Sequence, residues 1–522
     1  MNYLQELNYL EGIDLRQCKQ FEELPDLSKA SRLKSVNLSY CESLQYLHPS
    51  VLSSDTLVTL ILDKCTNLKS VKSEKHLKSL EKISVNGCLN LVEFAVSSDL
   101  IENLDLSNTG IQTLDTSIGS MHKLKWLNLE GLKLKHILRE LCCLASLKVL
   151  KISGNGLVID KQQIHVLFNG LRYLQILYLK DCSELFELPD SISLLTQLQE
   201  LRLDRSDLKR LPENINDLQM LEILSLEDCK ELLCLPKFPS LIKYLRAINC
   251  TSLVSVSNLK TSAMEMLGTN KRITFKNSGK LDGHSLRIIM DSLHLAMMSA
   301  AYHNVLVRRS YGTYNSCNYT SVELCLPGGG VPEQINYRST KSSITIALPP
   351  RSELLGFIYS VVLSPTGGMK TNGAKIFCKC HLPEEGIKAT WLYGDIRGLK
   401  SDHVYEWYDP LHSDSILKYY EQSKVCFEFC VANDKGEVEG SICIKECGVG
   451  LVSVLEVHSV LQKLDFDSNK KKELVEGVEL ESKLRNQQQD WSESSSSDSL
   501  TTPTSSSGMQ LINLIIFYIN LE

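Results

Sequence analysis

The chain has 522 residues, a formal net charge of −6 and 18 cysteines. That length exceeds one ordinary core and predicts two or three domains. The near-balanced charge gives no footing for nucleic acid or an anionic membrane surface, and with no basic, apolar leader in MNYLQELNYLEGIDL the cysteines read as reduced thiols, not as a disulfide framework.

From the first residues onward one phrase returns, as in DLRQCKQFEELP, NLSYCESLQYLHP and SLEDCKELLCLP. Its pattern is L-x-x-L-x-L-x-x-C/N/T. Eleven copies start at Leu10, Leu33, Leu57, Leu80, Ile101, Leu124, Leu147, Leu174, Leu198, Leu221 and Ile242, at intervals of 21 to 27 residues. That period predicts an α/β leucine-rich-repeat solenoid over residues 1–260. The middle of each copy is a short strand whose alternate residues, such as Leu10, Ile13 and Leu15, face the core. A single copy cannot bury that face, whereas stacked neighbours can. Each fully buried leucine is worth roughly 1.5–3 kcal/mol. The last pattern position turns the chain off the strand. Cys18, Cys41, Cys65, Cys88, Cys182, Cys229 and Cys250 fill it, with Thr109 and Asn155 in two other copies. A small apolar residue with a weak S–H donor suits that place, and a redox or metal ladder is the minor alternative.

Between the inward residues, the central strand position reads Asp14, Asn37, Ile61, Ser84, Asp105, Asn128, Lys151, Tyr178, Arg202, Ser225 and Arg246. Trp126, Lys180, Asp204, Arg205, Glu227 and Tyr244 lie beside them. This concave face has an ordinary solvated surface as its bland reading. Its mixture of aromatics and arginines favours a protein-binding site carried by Trp126, Lys151, Tyr178, Arg202, Arg205, Tyr244 and Arg246.

The periodicity fades after Leu253, and residues 261–320 read as a helical connector built on the amphipathic stretch His284–Leu306. Its histidines are too widely spaced for one metal site. Alternating segments from Val322, among them SSITIALPP, GFIYSVVL, AKIFCKCHL and KVCFEFCVAND, predict an antiparallel β-sandwich over 321–456. Cys378 with Cys380, Cys426 with Cys430 and Cys443 with Cys447 look like metal ligands. Residues four apart on a strand are about 13 Å apart, and only Cys378 with Cys380, about 7 Å apart, could contribute to a site built with other strands, so no metal or cofactor is expected. His403, Glu406, Asp409 and His412 in HVYEWYDPLHSD have a His-x-x-Glu spacing that could hold a metal on a helix, but Pro410 and the aromatics argue for a loop, without catalysis. Residues 457–522 are charged, then Ser/Thr-rich, and read as a disordered tail, closed by an eleven-residue apolar run too short for a membrane span.

The repeats, together with LCLPGGGVPEQINYRSTKSSITIALPP, SDHVYEWYDP and IKECGVGLV, resemble plant intracellular immune receptors of the TIR-type nucleotide-binding leucine-rich-repeat class. The second segment is similar to the jelly-roll-like C-JID domain that follows the repeats there. Pro327, Gly328, Pro332 and Ser339 match its turn motif, while Gln334–Asn336 stand where the family carries an aromatic element. The resemblance implies that repeats and trailing domain together recognise a pathogen effector or a guarded host protein, in the cytoplasm or alternatively the nucleus, with full-length receptors as further partners. No phosphate-binding G-x-x-x-x-G-K-[ST] occurs and no TIR region precedes the repeats, so the expected protein is a sensor without cofactor or enzyme activity. The rivals are an extracellular receptor ectodomain, for which sequons stand at Asn37, Asn249 and Asn318, and a ubiquitin-ligase substrate adaptor.

Overall fold

The computed structural model describes residues 7–463 except 135, 137–138, 155–158, 160, 184, 258–269, 312–319, 351–352, 366–374, 383–385, 393–395, 397, 419–423 and 433–441. Asn155, Asn318, the charged tail and its apolar end lie outside the described residues. The chain divides into two compact units, Met1–Lys260 with Ile273–Ile289, and Thr261–Arg272 with Met290–Glu522.

The first unit is a stack of short parallel strands. Gly12–Asp14, Ser35–Asn37, Thr59–Ile61 and Lys82–Ser84 form one ladder. A second ladder begins at Asn103–Asp105 and continues through Trp126–Leu129, Val149–Ser153, Ile176–Lys180, Glu200–Arg202, Ile223–Ser225 and Tyr244–Arg246. The strands carry inward apolar residues: Leu60, Leu104, Leu150, Leu201 and Leu245 are fully buried. The first rung differs from its expectation. Leu10, Ile13 and Leu15 are only half-buried and Cys18 is exposed, because no strand among the described residues stacks on its outer side. The 27-residue interval after Leu147 is taken up by a helix, Lys161–Gly170. Gly170 has to be glycine, since a Cβ there would lie 2.1 Å from the Cys142 carbonyl oxygen.

The turn position explains its cysteines. The Sγ atoms of Cys41, Cys65, Cys88, Cys229 and Cys250 donate to the carbonyls of Leu15, Leu38, Leu62, Leu203 and Leu226 in the preceding repeat, at 3.0–3.1 Å. Ser206, in a copy without the cysteine, donates its hydroxyl to Leu179 in the same way at 3.3 Å. A left-handed residue stands just before the position, with φ of 64° at Tyr40, 59° at Lys64 and 57° at Arg205. That conformation is unfavourable for residues with a Cβ. It is held because the same residue's N–H reaches the next repeat, as Tyr40 does to the Asp63 carbonyl at 2.7 Å and Arg205 to Glu227 at 2.7 Å.

The stack runs one rung further than the sequence pattern suggests. Strand Lys271–Thr274 begins inside the segment read as a helical connector. Ile273 and Phe275 are buried, Asn277 is left-handed, and Ser278 donates to Ala247 at 2.8 Å, the bond that cysteine makes elsewhere. Asn270 and Ser278, in place of leucine and cysteine, hid this rung. The expected helix follows as Gly283–Tyr311, capped by Asp282, whose Oδ1 accepts from the Ser285 N–H at 2.7 Å.

In the second unit the strands pair antiparallel. One set has the order Tyr337–Ser339, Ile442–Ser453, Leu354–Pro365, His403–Tyr408, Val322–Pro327; the other is Ser343–Ala347, Lys424–Ala432, Lys375–Leu382, Gly386–Leu392. Phe357, Tyr359, Tyr405 and Trp407 from the first set and Ile376, Cys378, Phe427 and Phe429 from the second share one core. HVYEWYDP is therefore not a loop. His403–Tyr408 is a strand buried on both faces, and Asp409 caps a helix, Pro410–Lys418, by accepting from Leu411 N–H at 2.9 Å and His412 N–H at 3.2 Å. Pro410 fits because the first helical position has no N–H to lose.

Candidate protein-binding site

The parallel register sets Asn128, Lys151, Tyr178, Arg202, Ser225 and Arg246 side by side on the outward face of the ladder. Adjacent strands lie about 4.8 Å apart, so long side chains in this row touch. Tyr178 is the hub. Lys151 Nζ, Lys180 Nζ and Arg202 Cζ stand 4.8, 4.6 and 4.9 Å from its ring centroid, and Lys151 is also 6.0 Å from the Trp126 ring. The Tyr178 hydroxyl donates to Glu200 Oε1 at 2.9 Å, and Arg202 Nε donates to the same oxygen at 2.5 Å. Burial, reinforced by the Glu200 carboxylate, pushes the Tyr178 hydroxyl up to about 12, so it remains a proton donor.

Of the expected site residues, Trp126, Lys151, Tyr178 and Arg202 thus form one cluster. Arg205 lies apart in an ion pair with Asp181, its Nη2 donating to Oδ2 at 2.8 Å. Arg246 pairs with Glu227, whose carboxyl is raised above the usual range by burial despite that arginine. Tyr244 is half-buried on the same strand, opposite Ile223. Sequence reasoning missed Glu130, which accepts from Lys180 Nζ at 3.2 Å, and Glu200. Glu200 sits two residues before Arg202, on the same face of a strand, which was a usable signal. Among the described residues Lys151 has no carboxylate partner; the other cations around Tyr178 each have one.

The motif of the second unit is structural in its contacts. Gly328 N–H donates to the Asp402 carbonyl at 3.0 Å, and Ile335 N–H to the Pro332 carbonyl at 3.1 Å. Val331 N–H donates to Glu446 Oε2 at 2.9 Å. Pro327 and Ser339 lie in strands, opposite His403 and Cys447. Gln334, at the departure from the family's aromatic element, donates from Nε2 to Asp291 Oδ1 at 3.0 Å.

The candidate metal ligands do not converge. His403 Nδ1 contacts the Ser401 carbonyl, His412 Nδ1 contacts the Tyr359 hydroxyl at 2.7 Å, and Asp409 serves as a cap. No group of three or more His, Cys, Asp or Glu among the described residues could hold a metal ion, and no disulfide forms among the described cysteines. No helix among them is long and apolar enough to cross a membrane. At the sequon Asn249, the side chain is engaged on both sides, donating to Asp228 Oδ1 at 3.0 Å and accepting from Asn277 at 2.9 Å.

The C-JID domain family matches residues 326–458. Among proteins of Arabidopsis thaliana, SUPPRESSOR OF npr1-1, CONSTITUTIVE 1 is 31% identical over 442 residues, which cover 83% of this chain and 28% of the relative. The disease resistance-like protein DSC1 is 27% identical over 438 residues, covering 78% and 34%. The chain thus spans about a third of the length of these relatives. A leucine-rich-repeat protein of Leptospira interrogans is 20% identical with a TM-score of 0.27, covering 56% of this chain and 96% of that one; the repeats themselves, not that likeness, carry the fold. Leucine-rich repeats ahead of a C-JID domain, with kinship to disease resistance proteins over most of the length, correspond to the C-terminal part of plant TIR-type nucleotide-binding leucine-rich-repeat disease resistance proteins.

Proposed function

We propose that the chain is the recognition region of an intracellular immune receptor, cytoplasmic or nuclear, which senses a pathogen effector or a guarded host protein and itself catalyses nothing. In this reading about eleven repeats supply the binding face. The trailing domain, a jelly-roll-like sandwich over 321–456, acts with them. Residues 457–522 serve as a disordered tail, and full-length receptors are further partners. The observation that supports it best is Lys151, a cation held between the Trp126 and Tyr178 rings with no acid of its own among the described residues. Aromatic and cationic anchors of this kind carry most of the energy of protein interfaces. An acidic side chain of the partner would supply the missing charge.

The Lys151→Glu variant of the full chain tests this. Lys151 is half-exposed, so the thermal midpoint should hold, while capture of the partner from infected tissue should fall about tenfold or more, the cost of removing one such anchor. Equal capture by wild type and variant, or capture of chaperones alone by both, overturns the reading.

A further inference from the structure

Two residues before the central position of each strand stands a second outward position, on the same face. The register sets Trp126 beside Val149 and Val149 beside Ile176, all half-buried. Polar residues bound this run, with Asn103 opposite Trp126 and Glu200 opposite Ile176. The face therefore carries an apolar stripe three rungs long. The charges beside it do not cancel. The glutamates that reach this face from these rungs and their neighbours are engaged: Glu102 by Lys125, Glu130 by Lys180, and Glu200 by Arg202 and the Tyr178 hydroxyl. Asp105 accepts from the Ser107 N–H and stands two rungs from Lys151. Lys148 and Lys151 stand to either side of Val149 along its strand. Lys148 is exposed at the strand's entry, where its neighbours in the adjoining rungs are Lys125 and Gln175. Among the described residues neither Lys148 nor Lys151 has a carboxylate partner.

The spacing of the stripe selects what can lie along it. Neighbouring rungs are about 4.8 Å apart, so groups seated on Trp126, Val149 and Ile176 are about 5 and 10 Å apart. Residues i, i+3 and i+7 of an α-helix rise by about 4.5 and 10.5 Å and share one face. Same-face residues of an extended chain fall about 6.6 and 13 Å along it, out of step with the rungs.

We propose that the stripe seats about two turns of an amphipathic, acidic helix of a partner protein. Its apolar residues at i, i+3 and i+7 lie on Trp126, Val149 and Ile176, and carboxylates on both flanks of that face meet Lys148 and Lys151. This occupant rests on the protein-recognition reading for being a protein; the stripe and its two spare cations add the kind of segment the face takes.

Fluorescence anisotropy of labelled peptides with the full chain tests it. The probe is an alanine-rich helix of about 14 residues, locked by a side-chain staple on its far face, with leucine at i, i+3 and i+7 and glutamate on both flanks. Its counterparts carry lysine in place of the glutamates, alanine in place of the leucines, or a central proline and no staple. The glutamate helix should bind saturably and about tenfold or more tightly than each counterpart. Lys148→Glu, at an exposed position, should weaken the glutamate helix and strengthen the lysine helix, each by about fivefold or more, which a loss of fold cannot imitate. No saturable binding of the glutamate helix, equal binding by any counterpart, or an unchanged preference in Lys148→Glu each overturn the proposal. Capture from infected tissue reads Lys151→Glu against the natural partner, whereas these peptides read the stripe without one, so the two readings can fail separately.

Discussion

At the scale of single residues, the buried turn cysteines serve as hydrogen-bond donors to the preceding repeat. Burial pushes the thiols of Cys65, Cys88, Cys182 and Cys229 up to about 12, so at neutral pH they are protonated donors and poor nucleophiles. Alkylation of the native protein should therefore mark Cys18, Cys143, Cys234 and Cys443, which are exposed, and reach the ladder cysteines only with denaturant; mass spectrometry of the labelled peptides checks this. Cys229→Ser keeps a donor to the Leu203 carbonyl and should be nearly silent. Cys229→Ala leaves a small void and an unmet carbonyl and should cost about 1–2 kcal/mol in urea unfolding. Glu406 behaves oppositely. It is buried, its Oε1 has no hydrogen-bond partner among the described residues, and burial pushes its carboxyl up to about 7. A carboxyl raised on folding binds more protons in the folded state, so its contribution to stability is fullest below the unfolded value and is lost as pH rises through about 7. Stability should thus fall between pH 5 and pH 8, by on the order of 3 kcal/mol from this group, and Glu406→Gln should flatten the curve. A pH profile of Glu406→Gln parallel to wild type would show that the carboxyl is ionised throughout.

At the scale of elements, the turn GGGVPEQIN is held down by the glycines of the strand beneath it. A Cβ on Gly448 would lie 2.7 Å from Ile335 Cγ2, 2.8 Å from Val331 Cγ1 and 3.0 Å from the Tyr337 carbonyl. Gly448→Ala should therefore destabilise the second unit by about 1–3 kcal/mol while leaving the unfolding of the repeats unchanged, as two-transition calorimetry would resolve. These elements also mark what the sequence could say. Leucines at fixed spacing named most rungs, because periodicity is a local signal. The strand Lys271–Thr274 escaped because Asn270 and Ser278 break the pattern although Ile273 and Phe275 keep its burial. HVYEWYDP looked like a loop because proline and a crowd of aromatics suggested one. Only the pairing of Tyr405 and Trp407 between two other strands reveals a central position.

At the scale of the whole molecule, the residues proposed to bind were legible but their company was not. Trp126, Lys151, Tyr178 and Arg202 fall at predictable places in the repeat. Glu130, fifty residues from the Lys180 it pairs with, becomes a partner only through stacking. The interrupted ladder has a further bearing, on force. A stack whose rungs grip only their neighbours yields at its weakest seam instead of all together. Tension along the repeats in an optical trap should release the block from Gly12 to Ser84 as its own rip, while the rungs from Asn103 onward hold to a higher load. A single rip for all the repeats would mean that the seam bears as much as any other. A chain pulled from its ends would then lengthen in steps, shedding its first rungs before it surrenders the cluster around Tyr178.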